Sequence, residues 1–129
     1  MSELYMIRHG QASFGEENYD RLSSIGFVQA EIVARHWVGI ARNVDAIYMG
    51  TMKRQIDTAG ALVSAYKDQQ MPVPEIISDK AFDEYDSASV FQAQLPGMID
   101  KNPSISKKLA DIYTNKRTFQ LLFEEAMNR

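Results

Sequence analysis

An arginine, a histidine and a glycine follow one another as Arg8, His9 and Gly10, directly after the apolar run Leu4, Tyr5, Met6 and Ile7. These three residue types together suit a phosphoryl group. A guanidinium presents a planar fork that matches two oxygens of a phosphate dianion. An imidazole titrates near neutrality, so much of it is unprotonated there and able to attack phosphorus. A glycine lets backbone approach an anion closely and adds an N–H donor. The bland alternative is a strand that ends in polar residues and a turn glycine.

Further candidates lie downstream. Arg54 falls in the first turn of an expected helix, where a lone arginine is ordinarily a solvated surface residue. Glu84 stands in an acidic cluster with Asp79, Asp83 and Asp86, and such runs ordinarily form solvated loops. A general acid needs a carboxyl group kept protonated near working pH, which neighbouring carboxylates achieve by repulsion, and Asp83 is a possible substitute for Glu84. Gln11, Ser13 and Asn18 can bond phosphate or substrate from the intervening loop, but are equally common in plain turns. His36 sits inside an expected helix beside Arg35 and reads as a surface histidine. Two histidines 27 residues apart, without cysteine, make a poor metal site, so neither metal nor other cofactor is expected.

The elements that must position these residues follow from hydrophobic patterning. Residues 4–7 form a continuous run of strand-favouring residues, suited to a strand buried on both faces. The polar stretch 9–22, with Gly10 and Gly15, predicts a long loop at that strand's carboxyl end. Phe27, Ala30, Ala34, Trp37, Val38 and Ala41 recur at helical spacing against Gln29, Glu31, Arg35 and Arg42, with Ser23 or Ser24 as cap. A second strand is expected within 45–50. Thr51 is a cap candidate for a second helix running to about Lys67. Pro72 and Pro74 end that helix and lead into a third strand at Ile76 and Ile77.

Strand, helix, strand, helix, strand is the alternation of an α/β fold with a mainly parallel central sheet and helices on both faces. Residues 83–129 predict short helices near 87–95, 104–113 and 116–128, punctuated by Pro96, Gly97, Asn102 and Pro103, without a further strand. Residues 1–129 are expected to form one domain.

Composition narrows the function classes. Fourteen basic against seventeen acidic residues give a formal charge of -3, with no broad positive field for nucleic acid or an anionic membrane. No stretch approaches the roughly 20 apolar residues that cross a bilayer. The absence of cysteine excludes thiolate catalysis and disulfides, and fits a reducing, cytoplasmic location.

The run Leu4-Tyr5-Met6-Ile7-Arg8-His9-Gly10-Gln11-Ala12 resembles the signature of the histidine phosphatase superfamily, the phosphoglycerate-mutase-like proteins. Asn18, Leu22, Ser23, Gly26, Gln29 and Ala30 resemble that family's loop and helix opening. Gly50-Thr51-Met52-Lys53-Arg54, with Thr58 and Ala59, resembles its second phosphate-binding arginine, and Phe82-Asp83-Glu84 resembles the segment carrying its catalytic acid. The resemblance implies that His9 accepts the phosphoryl group, that Arg8 and Arg54 clamp its oxygens, and that Glu84 protonates the leaving oxygen. Gly10, Gln11, Asn18 and Ser23 join the arginines as phosphate- or substrate-binding candidates, and the implied ligand is phosphate or a phosphorylated small molecule.

The resemblance breaks at one point. The family's second histidine, in a His-Gly segment on a later strand, has no counterpart here, and the chain resembles a truncated, amino-terminal portion of the family's domain. Loss of a central strand would leave unpaired backbone and exposed apolar surface, which predicts a homodimer or higher homo-oligomer. The leading expectation is a phosphomonoester hydrolase working through phosphohistidine. Phosphoglycerate mutase-type transfer is the close alternative, less favoured because the short loop after His9 carries little machinery for holding a phosphoglycerate. A catalytically impaired phosphate-binding or interaction module is the alternative from another class.

Overall fold

The computed structural model describes residues 1–13, 20–40, 43–112 and 115–128, the side chains at 87 and 88 excepted. The expectations placed on Gly15, Asn18, Ala41, Arg42 and Tyr113 lie outside the described residues. The chain divides into two compact units, Met1–Asp83 and Glu84–Arg129.

The first unit is built on helix α1 (Ser24–Gly39), strand β1 (Ala46–Met49), helix α2 (Lys53–Asp68) and strand β2 (Glu75–Ser78). Ser23 caps α1 by accepting the Gly26 N–H, one of the amides that a helix start leaves without a partner. Gly26, Ala30, Ala34 and Val38 recur every fourth residue and are the buried face of α1. Small side chains there let the two helix backbones come close. Ala34 and Val38 join Leu62, Ala65 and Tyr66 of α2 in one core, with Trp37, Ile47, Ala61 and Met71 packed at its margin. The Trp37 indole N–H donates to the hydroxyl of the fully buried Tyr66 at 2.9 Å, so the polar ends of both rings are satisfied.

β1 and β2 pair in parallel, from Ala46 opposite Glu75 to Met49 opposite Ser78. A parallel pair needs a crossover of helix length, and α2 supplies it. This is the α/β, parallel-sheet architecture the alternation predicts. Thr51 is not the cap of α2: that position is Met52, whose N–H donates to Gln55 Oε1 at 3.4 Å.

Among the described residues the sheet has two strands, and residues 4–7 are not one of them. Leu4 and Met6 are 85% and 91% exposed. An apolar run becomes a strand only where a neighbour takes up its backbone N–H and C=O groups, and no strand among the described residues pairs with residues 4–7. The amino-terminal stretch is tied down instead at its far end. Ala12 bridges Leu22 in antiparallel fashion, Ser13 N–H donates to Arg21 C=O at 2.9 Å, and Ser23 N–H donates to Gln11 C=O at 2.8 Å. Ahead of that clasp, the Tyr5 ring meets Trp37 edge-on at 4.9 Å.

The second unit is helical: α3 (Ser87–Lys101), α4 (Ile105–Lys108), a 3₁₀ turn (Leu109–Asp111) and α5 (Lys116–Met127). Phe91 and Met98 of α3, Ile105, Ile112, and Leu122 and Ala126 of α5 form its buried core. The rings of Phe91, Phe119, Phe123 and Tyr85 stack in succession with centroids 6.4, 5.7 and 6.1 Å apart. Pro96 and Gly97 do not punctuate the chain as expected, since α3 runs through both. Proline forfeits one helical hydrogen bond, but Phe91 and Leu95 before it and Met98 and Ile99 after it belong to the same packed face. Tertiary packing decides the outcome. No helix among the described residues is long and apolar enough to cross a membrane.

Candidate functional site

The segment after Ile7 is held by both helices of the first unit. Gly10 is buried, and its N–H donates to Thr58 Oγ1 on α2 at 3.2 Å. Thr58 Oγ1 in turn donates to the Arg54 carbonyl, one helical turn back, at 2.8 Å. On the α1 side, Gln11 N–H donates to Gln29 Oε1 at 2.9 Å, and the Gln11 carbonyl accepts from Ser23 Oγ at 3.1 Å.

Two glycines make this approach possible. A Cβ on Gly10 would lie 2.2 Å from the Gly26 carbonyl oxygen, and one on Gly26 would lie 2.1 Å from the Gln11 carbonyl oxygen. Both contacts are with backbone, which cannot swing aside. The amino terminus of α1 and the stretch 10–11 therefore sit backbone against backbone, one of the few arrangements that demands glycine on both sides.

His9 is half-buried at the edge of this junction, with Nδ1 2.7 Å from the Gly10 carbonyl oxygen. A carbonyl only accepts, so Nδ1 must carry the hydrogen. In the neutral ring that leaves the lone pair on Nε2. The backbone thus fixes both the tautomer and the orientation of the imidazole, with the free lone pair on Nε2.

Arg54, in the first turn of α2, is 4% exposed, so it is not the solvated surface arginine its position in sequence allowed. Its Nη1 donates to Asp20 Oδ1 at 3.1 Å, while Asp20 Oδ2 accepts the Lys53 backbone N–H at 2.9 Å. One carboxylate thus spans a guanidinium and the first amide of a 16-residue helix. Those are the donors an oxyanion would use, and the positive end of the α2 dipole adds to them.

Arg8 is exposed and makes no hydrogen bond or ion pair with another described residue. Gln11 uses its backbone, and Ser23 uses its hydroxyl both on Gln11 and as the α1 cap, so the work these two do in the fold is structural. Asn18 lies outside the described residues. Glu84 is exposed and opens the second unit. Its neighbour Asp83 closes the first unit, accepting from the Thr51 N–H at 2.5 Å and the Thr51 hydroxyl at 2.7 Å. The hydroxyl bond first, then the backbone bond, hold the Asp83 carboxyl below the ordinary carboxylate range. A carboxylate so stabilised is a poor proton donor.

The structure therefore gathers Gly10, Gln11, Ser23, Gly26, Gln29, Arg54 and Thr58, with His9 at the margin. Asp20 escaped the sequence reading because no motif or periodicity links it to a helix 33 residues on. The one available signal was its place just ahead of the Leu22-Ser23 helix opening. The family model described as histidine phosphatase superfamily (branch 1) matches residues 4–104 of the 129. No curated protein matches the chain.

Proposed function

The chain belongs to the histidine phosphatase superfamily, and on that footing we propose that it is a phosphomonoester hydrolase with His9 as its nucleophile. The observation that carries this reading is the Nδ1 contact with the Gly10 carbonyl, which leaves Nε2 as the attacking atom. In the first step an N–P bond forms at Nε2 as the P–O ester bond breaks, and a carboxylic acid, the role the family resemblance implies for Glu84, protonates the departing alkoxide. In the second, water attacks phosphorus, the N–P bond breaks, the carboxylate left by the first step takes the water's proton, and inorganic phosphate leaves. Arg54 and Arg8 would stabilise charge on the equatorial oxygens, a preorganised contribution worth on the order of a hundredfold or more per donor. Supporting Arg54 in that role are its burial and its position beside the first amide of α2.

Phosphoglycerate mutase-type transfer shares the first step and differs only in what receives the phosphoryl group. A second reading, a phosphate-binding module with little turnover, is favoured by one observation: the other histidine, His36, is exposed in the last turn of α1. The ligand in either reading is phosphate or a phosphorylated small molecule, the setting cytoplasmic, and the assembly a homodimer or larger.

An aryl phosphate separates hydrolase from module. Wild type should release the phenol, and after rapid quenching should carry an acid-labile, alkali-stable phosphoryl group that His9→Ala lacks. His9→Ala should lose at least about a hundredfold in rate, as expected for removal of a covalent nucleophile. Equal rates for the two proteins would remove the enzymatic proposal and leave the binding module.

A further inference from the structure

Arg54 and the start of α2 already hold an anion, and it belongs to the chain. The Asp20 carboxylate contacts Arg54 Nη1 at 3.1 Å and the Lys53 amide at 2.9 Å, with the Arg54 side chain 5% exposed and that of Asp20 43% exposed. A guanidinium this deeply buried requires a charged or strongly polar partner, because burying it unpaired is very unfavourable. Asp20 meets that requirement from the more accessible side. Its carboxylate has the geometry of two phosphate oxygens, each on its own donor.

We infer that Asp20 is an affinity-setting residue, an internal stand-in for the phosphoryl group that must leave Arg54 and the Lys53 amide before phosphate occupies them. The inference rests on the reading of Arg54 as a phosphate ligand. A dianion and a carboxylate on one guanidinium repel each other at close range, and the repulsion grows where water is excluded. Binding is therefore an exchange of one anion for another. Two consequences follow from that exchange. The free protein keeps Arg54 compensated and oriented, and the apparent affinity for phosphate is reduced by the fraction of molecules in which Asp20 is engaged.

The position of Asp20 makes the exchange mechanically easy. It is accessible enough to rotate into water, and it lies next to the clasp in which Ala12 bridges Leu22 and Ser13 bonds Arg21. That clasp is made by backbone groups and uses no atom of the Asp20 carboxylate. Release of Asp20 thus requires a side-chain motion, with α1 and α2 left in place.

Isothermal titration of the full chain with inorganic phosphate tests this. Asp20→Asn keeps the shape and removes the charge, and should bind phosphate about fivefold more tightly than wild type, the range expected for a partly exposed ion pair. In an Arg54→Ala background the same change should have little effect, since the competition requires the guanidinium. Unchanged or weaker binding by Asp20→Asn would overturn the inference, as would an equal gain in the Arg54→Ala background, which would mark a general charge effect. A second measurement needs no variant. In wild type, phosphate titration should shift the Lys53 amide resonance and the Asp20 carboxyl carbon together, and an Asp20 carboxyl unmoved at saturation would also overturn it. Absence of phosphate binding in both proteins counts against the inference too, while the phosphohistidine assay on His9 judges the hydrolase reading separately.

Discussion

At the scale of single residues, the first unit is held by side chains that satisfy backbone groups at the ends of elements. Asp83 is the clearest case, because its carboxylate takes both the N–H and the hydroxyl of Thr51, just ahead of α2. Gln55 Nε2 reinforces the same corner by donating to the Phe82 carbonyl at 2.8 Å. Since the folded protein holds the Asp83 carboxyl below its ordinary range, its contribution is complete above the unfolded value of about 3.9 and fades as pH falls through the lower folded value. Asp83→Asn should therefore unfold at a lower urea concentration than wild type at pH 7, and the gap should narrow as the pH is lowered below about 4. A gap that persists undiminished at pH 2 would show that the charge of Asp83 is not what stabilises the corner.

How legible these residues were depended on the range of the interaction. Ser23 was readable because a helix cap acts on neighbours in sequence, whereas the need for glycine at position 10 comes from the distant Gly26 backbone. The burial of Arg54 was not readable, since a first-turn arginine looks the same whether solvent or a carboxylate from position 20 receives it. The pairing of Asp83 with Thr51 spans 32 residues and depends on the return of the chain through β2. Nothing in the acidic cluster singled out Asp83 for it.

At the scale of elements, α1, β1, α2 and β2 match their expected positions closely, and the departures at residues 4–7 and 96–97 have one cause. Residues 4–7 carry strand-favouring side chains without a paired edge among the described residues, and residues 96–97 carry helix-breaking types inside a well-packed face. Local preference yielded to the presence or absence of partners in both. The end of α2 offers a test of local conformation free of that complication. Gln70 has φ 55°, the one left-handed non-glycine residue among those described, and it closes the helix by donating to the Lys67 carbonyl at 2.9 Å. Met71 N–H adds a second closing bond to the Tyr66 carbonyl at 2.9 Å. An L side chain in this conformation costs roughly 1 kcal/mol relative to glycine. Gln70→Gly should accordingly raise stability by up to about 1 kcal/mol, less the added flexibility of the unfolded chain, read as a higher urea midpoint at unchanged slope. A lower midpoint would mean that the Gln70 side chain contributes more than its backbone strain removes.

At the scale of the whole molecule, the distribution of apolar surface bears on assembly. Ile25, Val28 and Ile32 are 58%, 53% and 54% exposed, and their i, i+3, i+7 spacing puts them on one side of α1, turned away from the Gly26–Ala30–Ala34–Val38 stripe. Leu4 and Met6, at 85% and 91%, are two residues apart in the extended amino-terminal stretch and add to the apolar surface of the same unit. Single exposed apolar residues are ordinary, but a helix apolar on two opposite sides is the pattern of a helix covered on both. Self-association is the remedy available to identical chains, and the small net charge of -3 offers little repulsion against it. Sedimentation equilibrium at low micromolar concentration should therefore give a mass above 14.6 kDa. Ile25→Glu with Ile32→Glu should return it toward the monomer while preserving helix content, because neither position touches the α2 face and a glutamate in the first turn favours the helix dipole. A wild-type protein that sediments only as a stable monomer would exclude association through this face. A mass unmoved by the double substitution would place the contact elsewhere.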